Sequence, residues 1–250
     1  MPPQSLPEVD FSRDALLFDV DGTLLDIAPR PEDVHVSETL RESLARLNVL
    51  CDGAVALVSG RPFDDTDSLF APLRLAAIGS HGAEIRETPF GPRELCAPPL
   101  PAALRAAFAD LERLDPRIEV EDKIYSLAFH YRAARDCAAE LLRLARERLK
   151  PFEPEFTMMC GKAIIEVKSR TFDKGTAVRK LLSIPPFAGR RPIFCGDDTT
   201  DQDVFGILPE FGGLGVSVGR DAAGAAYRVP APADIRDWLA HLAGRDGGAG

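Results

Sequence analysis

Asp19 and Asp21 stand two residues apart after the apolar run Leu16-Leu17-Phe18 and just before Gly22-Thr23. In an extended chain such side chains point the same way, so the two carboxylates converge at a strand end. That arrangement suits a hard cation, or a nucleophile with an acid beside it. It also reads as a strand closing in an Asp-Gly turn. Three more polar clusters follow apolar runs. Ser59 and Arg61 follow residues 54–58. Ser59 is either an N-cap, with Pro62 just inside a helix, or a hydroxyl seating phosphate at a helix N-terminus. His81 lies in Gly79-Ser80-His81-Gly82, with Glu84 and Arg86 nearby. Taken alone, these read as a loop residue and solvent contacts. Asp197-Asp198-Thr199-Thr200-Asp201 follows the run 192–195. A capping box from Thr200 and Asp203 accounts for Asp201 and Asp203 but not for the adjacent Asp197 and Asp198. Crowded carboxylates repel unless a cation lies among them, and Mg²⁺ takes one or two carboxylates while recruiting phosphate. Lys174 follows the N-cap candidate Asp173, where a cation opposes the helix dipole by roughly 0.3–1 kcal/mol; it is either a solvated lysine or an anion ligand.

The elements that carry these residues alternate. A strand at 15–20 follows a loose Pro-rich leader, and a loop with Pro29 and Pro31 leads to a helix from Ser37 with Leu40, Leu44 and Leu47 on one face. Strands at 54–58 and 75–78 flank another helix. The pattern resumes with a helix over about 174–183, strands at 192–195 and 214–218, a helix at 201–207, a short strand near 227–229 and a helix at 233–243; Arg245–Gly250 reads as a frayed tail. Strand–helix alternation predicts a parallel α/β sheet, whose ligands bind beyond the carboxyl ends of the strands.

The middle of the chain differs. Residues 91–101 read as a proline-bearing linker. A helix with Leu104, Phe108 and Leu111 follows, then two alternating strands, a helix over 133–149 and strands near 155–159 and 163–167. In 124–132, Tyr125, Leu127, Phe129 and Tyr131 share one face, and Ser126, His130 and Arg132 the other. This block predicts an inserted α+β module with an antiparallel sheet, helices on one face and the other face open.

The 250 residues suffice for one large or two smaller domains, and the net charge of −9 with no basic tract argues against nucleic-acid or anionic-membrane partners. Five scattered cysteines without Cys-x-x-Cys spacing argue for free thiols in a reducing compartment and against disulfides or zinc. No signal-peptide pattern or membrane-spanning run is read, so the expectation is a cytoplasmic protein.

Together, Asp-Val-Asp-Gly-Thr at 19–23, Ser59, Lys174 and Gly-Asp-Asp at 196–198 resemble the four motifs of haloacid-dehalogenase (HAD)-type phosphatases, in order and over nearly the whole chain. The insertion resembles that superfamily's C2-type cap. Ser59-Gly60-Arg61, residues 79–84, His130-Tyr131-Arg132, Gly161-Lys162 with Glu166, and residues 196–201 further resemble the trehalose-6-phosphate phosphatase family; Gln202 departs from it, where a Glu is usual. The resemblance implies a Rossmann-like HAD core of residues 1–98 and 172–250, with a cap of 99–171. It implies Asp19 as nucleophile forming an aspartyl-phosphate, Asp21 as acid and base, and Ser59 and Lys174 on the phosphoryl oxygens. It implies Mg²⁺ on Asp19, the Asp21 carbonyl and Asp197, with Asp198 counted beside them; Asp198 and Asp201 alternatively orient Lys174. Substrate contacts are expected from Arg61, His81, Glu84, Lys123, His130, Arg132, Lys162 and Glu166, those of the insertion on the sugar, with Glu121 a further candidate. The implied reaction is the last step of trehalose biosynthesis. A related phosphatase for another sugar phosphate, of sucrose or glycosylglycerate type, uses the same core. A silent sugar-phosphate sensor does not need Asp19, Asp21, Lys174 and Asp197 together.

Overall fold

A computed structural model describes residues 6–28, 34–161 and 163–245. The first five residues of the expected leader, the Pro29–Pro31 loop, Lys162 and the expected tail beyond Arg245 lie outside the described residues. By internal contact the chain divides into Met1–Leu95 with Asp173–Gly250, and Cys96–Phe172.

The first unit begins with β1 (Asp14–Phe18), α1 (Glu38–Leu50), β2 (Val55–Val58), α2 (Phe63–Phe70), β3 (Ala76–Gly79), β4 (Glu84–Arg86) and β5 (Glu94–Leu95). The inserted unit holds α3 (Ala102–Phe108), β6 (Glu119–Asp122), β7 (Ser126–His130), α4 (Ala138–Leu149), β8 (Phe156–Gly161) and β9 (Ile164–Ser169). The first unit then resumes with α5 (Lys174–Leu181), β10 (Arg191–Gly196), α6 (Gln202–Ile207), β11 (Leu214–Val218), β12 (Tyr227–Val229) and α7 (Pro232–Ala243).

The large sheet runs β12-β11-β10-β1-β2-β3-β4-β5. It is parallel from β12 to β3, and β4 and β5 continue it antiparallel. β1, β2 and β3 are buried along their whole length, as unbroken apolar runs covered on both faces should be. The chain winds one way from β1 through β2 to β3, and the other way from β10 to β12. The reversal lies between β1 and β10, which is where such sheets bind ligands. Phe18 pairs with Cys195 and Leu57, so the ends of β10, β1 and β2 are level.

Several details correct the sequence reading. Pro7 and Val9 are buried, so the described part of the leader is packed rather than loose. The presumed linker contains β5, which pairs Leu95 with Glu84 and Glu94 with Ile85. Glu84 and Arg86, read as solvent contacts, are buried at the two ends of β4; a three-residue strand with charged ends gives no apolar signal.

The inserted unit has a four-stranded antiparallel sheet, β6-β7-β9-β8. Leu127, Phe129, Ile165 and Val167 join Leu104 and Phe108 of α3 and Leu141, Ala145 and Leu149 of α4 in one apolar core. Alternation puts Ser126, Ala128 and His130 on the other face. Arg132 falls outside that alternation, because β7 stops at His130 and Arg132 opens a short 3-10 turn.

Candidate active site

Beyond Phe18 the chain leaves the sheet, and Asp19 and Asp21 part company. Asp19 keeps one strand-like bond, its N–H donating to Cys195 O at 2.9 Å. The chain then turns, with Leu24 and Leu25 N–H both donating to Val20 O and Gly22 N–H to Leu25 O. The chain is therefore not extended between the two carboxylates, and each finds its own partners. Asp19 faces a buried cluster, whereas Asp21 accepts both prongs of the Arg61 guanidinium, Nε at 2.6 Å and Nη2 at 2.7 Å.

The buried cluster centres on Lys174. Asp173 caps α5, its carboxylate accepting the Thr176 N–H at 2.6 Å, so Lys174 is the first helical residue. Its Nζ lies 2.6 Å from Asp19 Oδ1 and 2.8 Å from Asp201 Oδ1, and all three side chains are buried. Two charge-assisted bonds outweigh the dipole penalty of a cation in that place. The neighbouring carboxylates outweigh the effect of burial and hold the Lys174 ammonium well above its usual range. Burial pushes Asp19 up and Asp201 and Asp197 push it further, against the pull of Lys174.

Asp201 is committed to this scaffold. Its Oδ2 accepts the backbone N–H groups of Asp197 and Asp198 at 2.8 and 2.9 Å, while Oδ1 takes Lys174. The helix cap therefore uses Asp198 and Asp201, not Thr200 and Asp203 as expected. Asp198 turns its carboxylate to the Thr199 N–H and hydroxyl.

Asp19, Asp197 and Asp201 each bring one oxygen within 4.8 Å of the others, the spacing of a cation site. Asp198, expected beside the metal residues, is not in that set. With Asp201 saturated by donors, Asp19 and Asp197 are the oxygens suited to a hard cation. Gly22 makes room for them. Its φ is +91°, and a Cβ there would stand 2.3 Å from Asp197 Oδ2. Gln202 places its amide nitrogen in the interior without a partner among the described residues.

Ser59 and His81 come from neighbouring strand ends. α2 starts at Phe63 with Pro62 at its cap, so Ser59 is not the N-cap. Its buried hydroxyl oxygen instead accepts the Arg61 N–H at 3.0 Å. Ser80 and His81 both have left-handed backbone, φ 49° and 55°. Such conformations cost about 1–2 kcal/mol per non-glycine residue and persist where the surroundings fix them. Here the Ser80 N–H donates to Arg61 O at 2.9 Å and the His81 N–H to Ser59 O at 3.1 Å. The His81 ring lies against Gly60, where a Cβ would stand 2.4 Å from Cε1. Glu84, expected among the substrate contacts, is buried at 3% exposure.

In the inserted unit, Glu121 and Glu166 flank Ala128 across adjacent strands. Lys123 Nζ lies 3.7 Å from Glu121 and 3.8 Å from Glu166. His130 Nε2 meets Glu121 Oε2 at 3.0 Å, and the Ser126 hydroxyl donates to Glu166 Oε1. The His130 hydrogen bond holds the Glu121 carboxyl below its ordinary value. Arg132 is exposed and outside this group. Sequence reasoning passed over Ser80, whose role needs the β3–β4 hairpin, and Gly60, which carries no side-chain signal.

A parallel sheet with carboxylates and a serine beyond adjacent strand ends, and a lysine bridging two of the carboxylates, is an arrangement suited to phosphoryl transfer. The solved structure of a phosphatase of the HAD superfamily from Bacteroides thetaiotaomicron superposes with a TM-score of 0.63 at 16% identity, covering 95% of this chain and 97% of that one. The trehalose-6-phosphate phosphatase C-terminal domain of C. albicans superposes at 0.81, with 24% identity over 94% and 93% of the two chains. The trehalose-6-phosphate phosphatase of Escherichia coli K12 is 34% identical over 230 residues, 90% of this chain and 85% of that protein. The trehalose-phosphatase family model matches residues 17–227. The chain belongs to the trehalose-phosphatase family.

Proposed function

We propose that this enzyme hydrolyses trehalose 6-phosphate to trehalose and inorganic phosphate, the closing step of trehalose synthesis, with Mg²⁺ and an aspartyl-phosphate intermediate. The observation that carries the reading is the buried contact of Lys174 with Asp19 and Asp201 at the sheet's reversal point. Asp19 is the nucleophile. Its Oδ1 is held by Lys174, leaving Oδ2 to form the bond to phosphorus while the P–O bond to the sugar breaks. Asp21 gives a proton to the departing sugar oxygen, then takes one from the water that opens the acyl phosphate. Ser59 and Lys174 donate to the phosphoryl oxygens, where charge gathers in the transition state. Asp201 fixes Lys174 and the backbone at Asp197 and Asp198.

Asp19 and Asp197, with the Asp21 carbonyl, would hold Mg²⁺. The bound ion supplies positive charge that offsets repulsion between nucleophile and phosphate. The inserted unit acts as the sugar-selecting cap through Glu121, Lys123, His130 and Glu166, two carboxylates beside a small alanine that suit sugar hydroxyls. Arg61 and His81 bind the substrate from the core, on its phosphate side beside Ser59. Among the described residues no helix is long and apolar enough to cross a membrane, and we place the enzyme in the cytoplasm.

Phosphate release from a panel of sugar phosphates, with and without Mg²⁺, tests this. Trehalose 6-phosphate is expected to lead the panel, with turnover lost on chelation. Comparable turnover of many monosaccharide phosphates, with trehalose 6-phosphate poor, would reassign the substrate to another sugar phosphate.

A further inference from the structure

Glu84 is buried beneath the Ser80–Gly82 turn, in register opposite Gly79. Its carboxylate joins three segments. Oε2 accepts the Ser80 hydroxyl and the Phe63 N–H, each at 3.3 Å, and Oε1 lies 3.5 Å from Arg93 Nη1. Phe63 is the first residue of α2, so its N–H is one of the helix's unsatisfied donors. Arg86 and Arg93 both lie over the Phe63 ring, at 5.2 and 5.1 Å from its centroid.

The two segments that Glu84 links are themselves stitched together. Ser80 and His81 donate their N–H groups to Arg61 and Ser59, and the Arg61 N–H returns to the Ser59 hydroxyl. Left-handed backbone at Ser80 and His81 makes this turn dependent on what holds it. Phe63 fixes the chain just after Arg61, and Ser80 fixes it just before His81. One carboxylate thus sets the spacing of Ser59 and Arg61 against His81. The same turn packs on α5, which carries Lys174.

We infer that Glu84 is a positioning residue for the phosphate seat, acting through Ser80 and Phe63 on Ser59, Arg61 and His81, and not a sugar contact. The inference rests on the phosphatase reading above. A sugar contact would matter only for sugar substrates, whereas a disturbed phosphate seat harms every phosphomonoester.

The test compares Glu84→Ala, Glu84→Gln and Ser80→Ala with the parent enzyme on trehalose 6-phosphate and on p-nitrophenyl phosphate. Glu84→Ala is expected to lower kcat about tenfold or more on both substrates, as small misplacements at a reacting centre do. Glu84→Gln keeps an acceptor oxygen and recovers most of that loss; Ser80→Ala falls between them. The His81 Cε1–H resonance, assigned with His81→Asn among the four histidines, reads the geometry independently of turnover. It should shift in Glu84→Ala and Ser80→Ala and hold in Glu84→Gln. If Glu84→Ala does not fold, the other two variants carry the test. A loss confined to trehalose 6-phosphate, or an unmoved His81 resonance in Ser80→Ala with unchanged kcat, overturns the inference. The parent enzyme's own substrate profile judges the phosphatase reading separately.

Discussion

Arg61 grips Asp21 with both prongs of its guanidinium, Nε to Oδ2 at 2.6 Å and Nη2 to Oδ1 at 2.7 Å. The residue we assign as acid and base is thereby fixed in one orientation. A planar fork achieves this; an ammonium cannot.

Arg61→Lys should therefore lose about 10- to 100-fold in kcat, within the range that a positioned acid–base group supplies. Because the pair is partly exposed, with side chains 18% and 37% accessible, thermal stability should change little. Steady-state kinetics and a melting curve check this; kcat within twofold of the parent would remove the clamp from the account.

A second fork is structural. Arg86 is buried in β4, bound to Asp67 at 2.6 and 2.7 Å and to the Leu75 carbonyl. Asp67→Asn leaves a buried guanidinium short of its counter-charge, which should cost about 3 kcal/mol at neutral pH in urea unfolding. Burial raises the Asp67 carboxyl, but Arg86, with Arg74 and Arg93, pulls it further down, so its folded value is depressed. A depressed carboxylate stabilises above its unfolded pKa of about 3.9 and loses that contribution as pH falls through the lower folded value. The gap between parent and variant should persist at neutral pH and narrow below about pH 4; a gap that widens with acid would contradict the assignment.

How much of this was legible depended on chain geometry. Apolar runs ending in Asp19, Ser59 and Asp197 announced a parallel sheet with its chemistry at the strand ends, and the alternation through Leu127 and Phe129 announced the inserted sheet. Spacing alone pairs Asp19 with Asp21, but β1 stops at Phe18, and the turn beyond it gives the two carboxylates their separate partners. Asp201 outranks Asp198 because the turn after Gly196 folds it back onto two N–H groups, a three-dimensional fact with no spacing signal. Glu84 and Arg86 look like a charged loop until β3 and β4 pair.

Glu166 lies on the inserted sheet with Ser126 and Lys123 as partners. Glu166→Ala should lower kcat/KM for trehalose 6-phosphate about 10- to 100-fold, since a site built to bond hydroxyls discriminates strongly. Its rate with p-nitrophenyl phosphate should remain near the parent's. Equal losses on both substrates would say that this face does not select the sugar.

The central claim is that Asp19 attacks phosphorus. Turnover of trehalose 6-phosphate by Asp19→Asn, measured with Mg²⁺ and alongside a circular dichroism spectrum, addresses it most directly. Asparagine fills the same volume, so the fold should be retained while kcat falls by more than about a thousandfold. A folded Asp19→Asn enzyme turning over near the parent rate would mean that the nucleophile lies elsewhere.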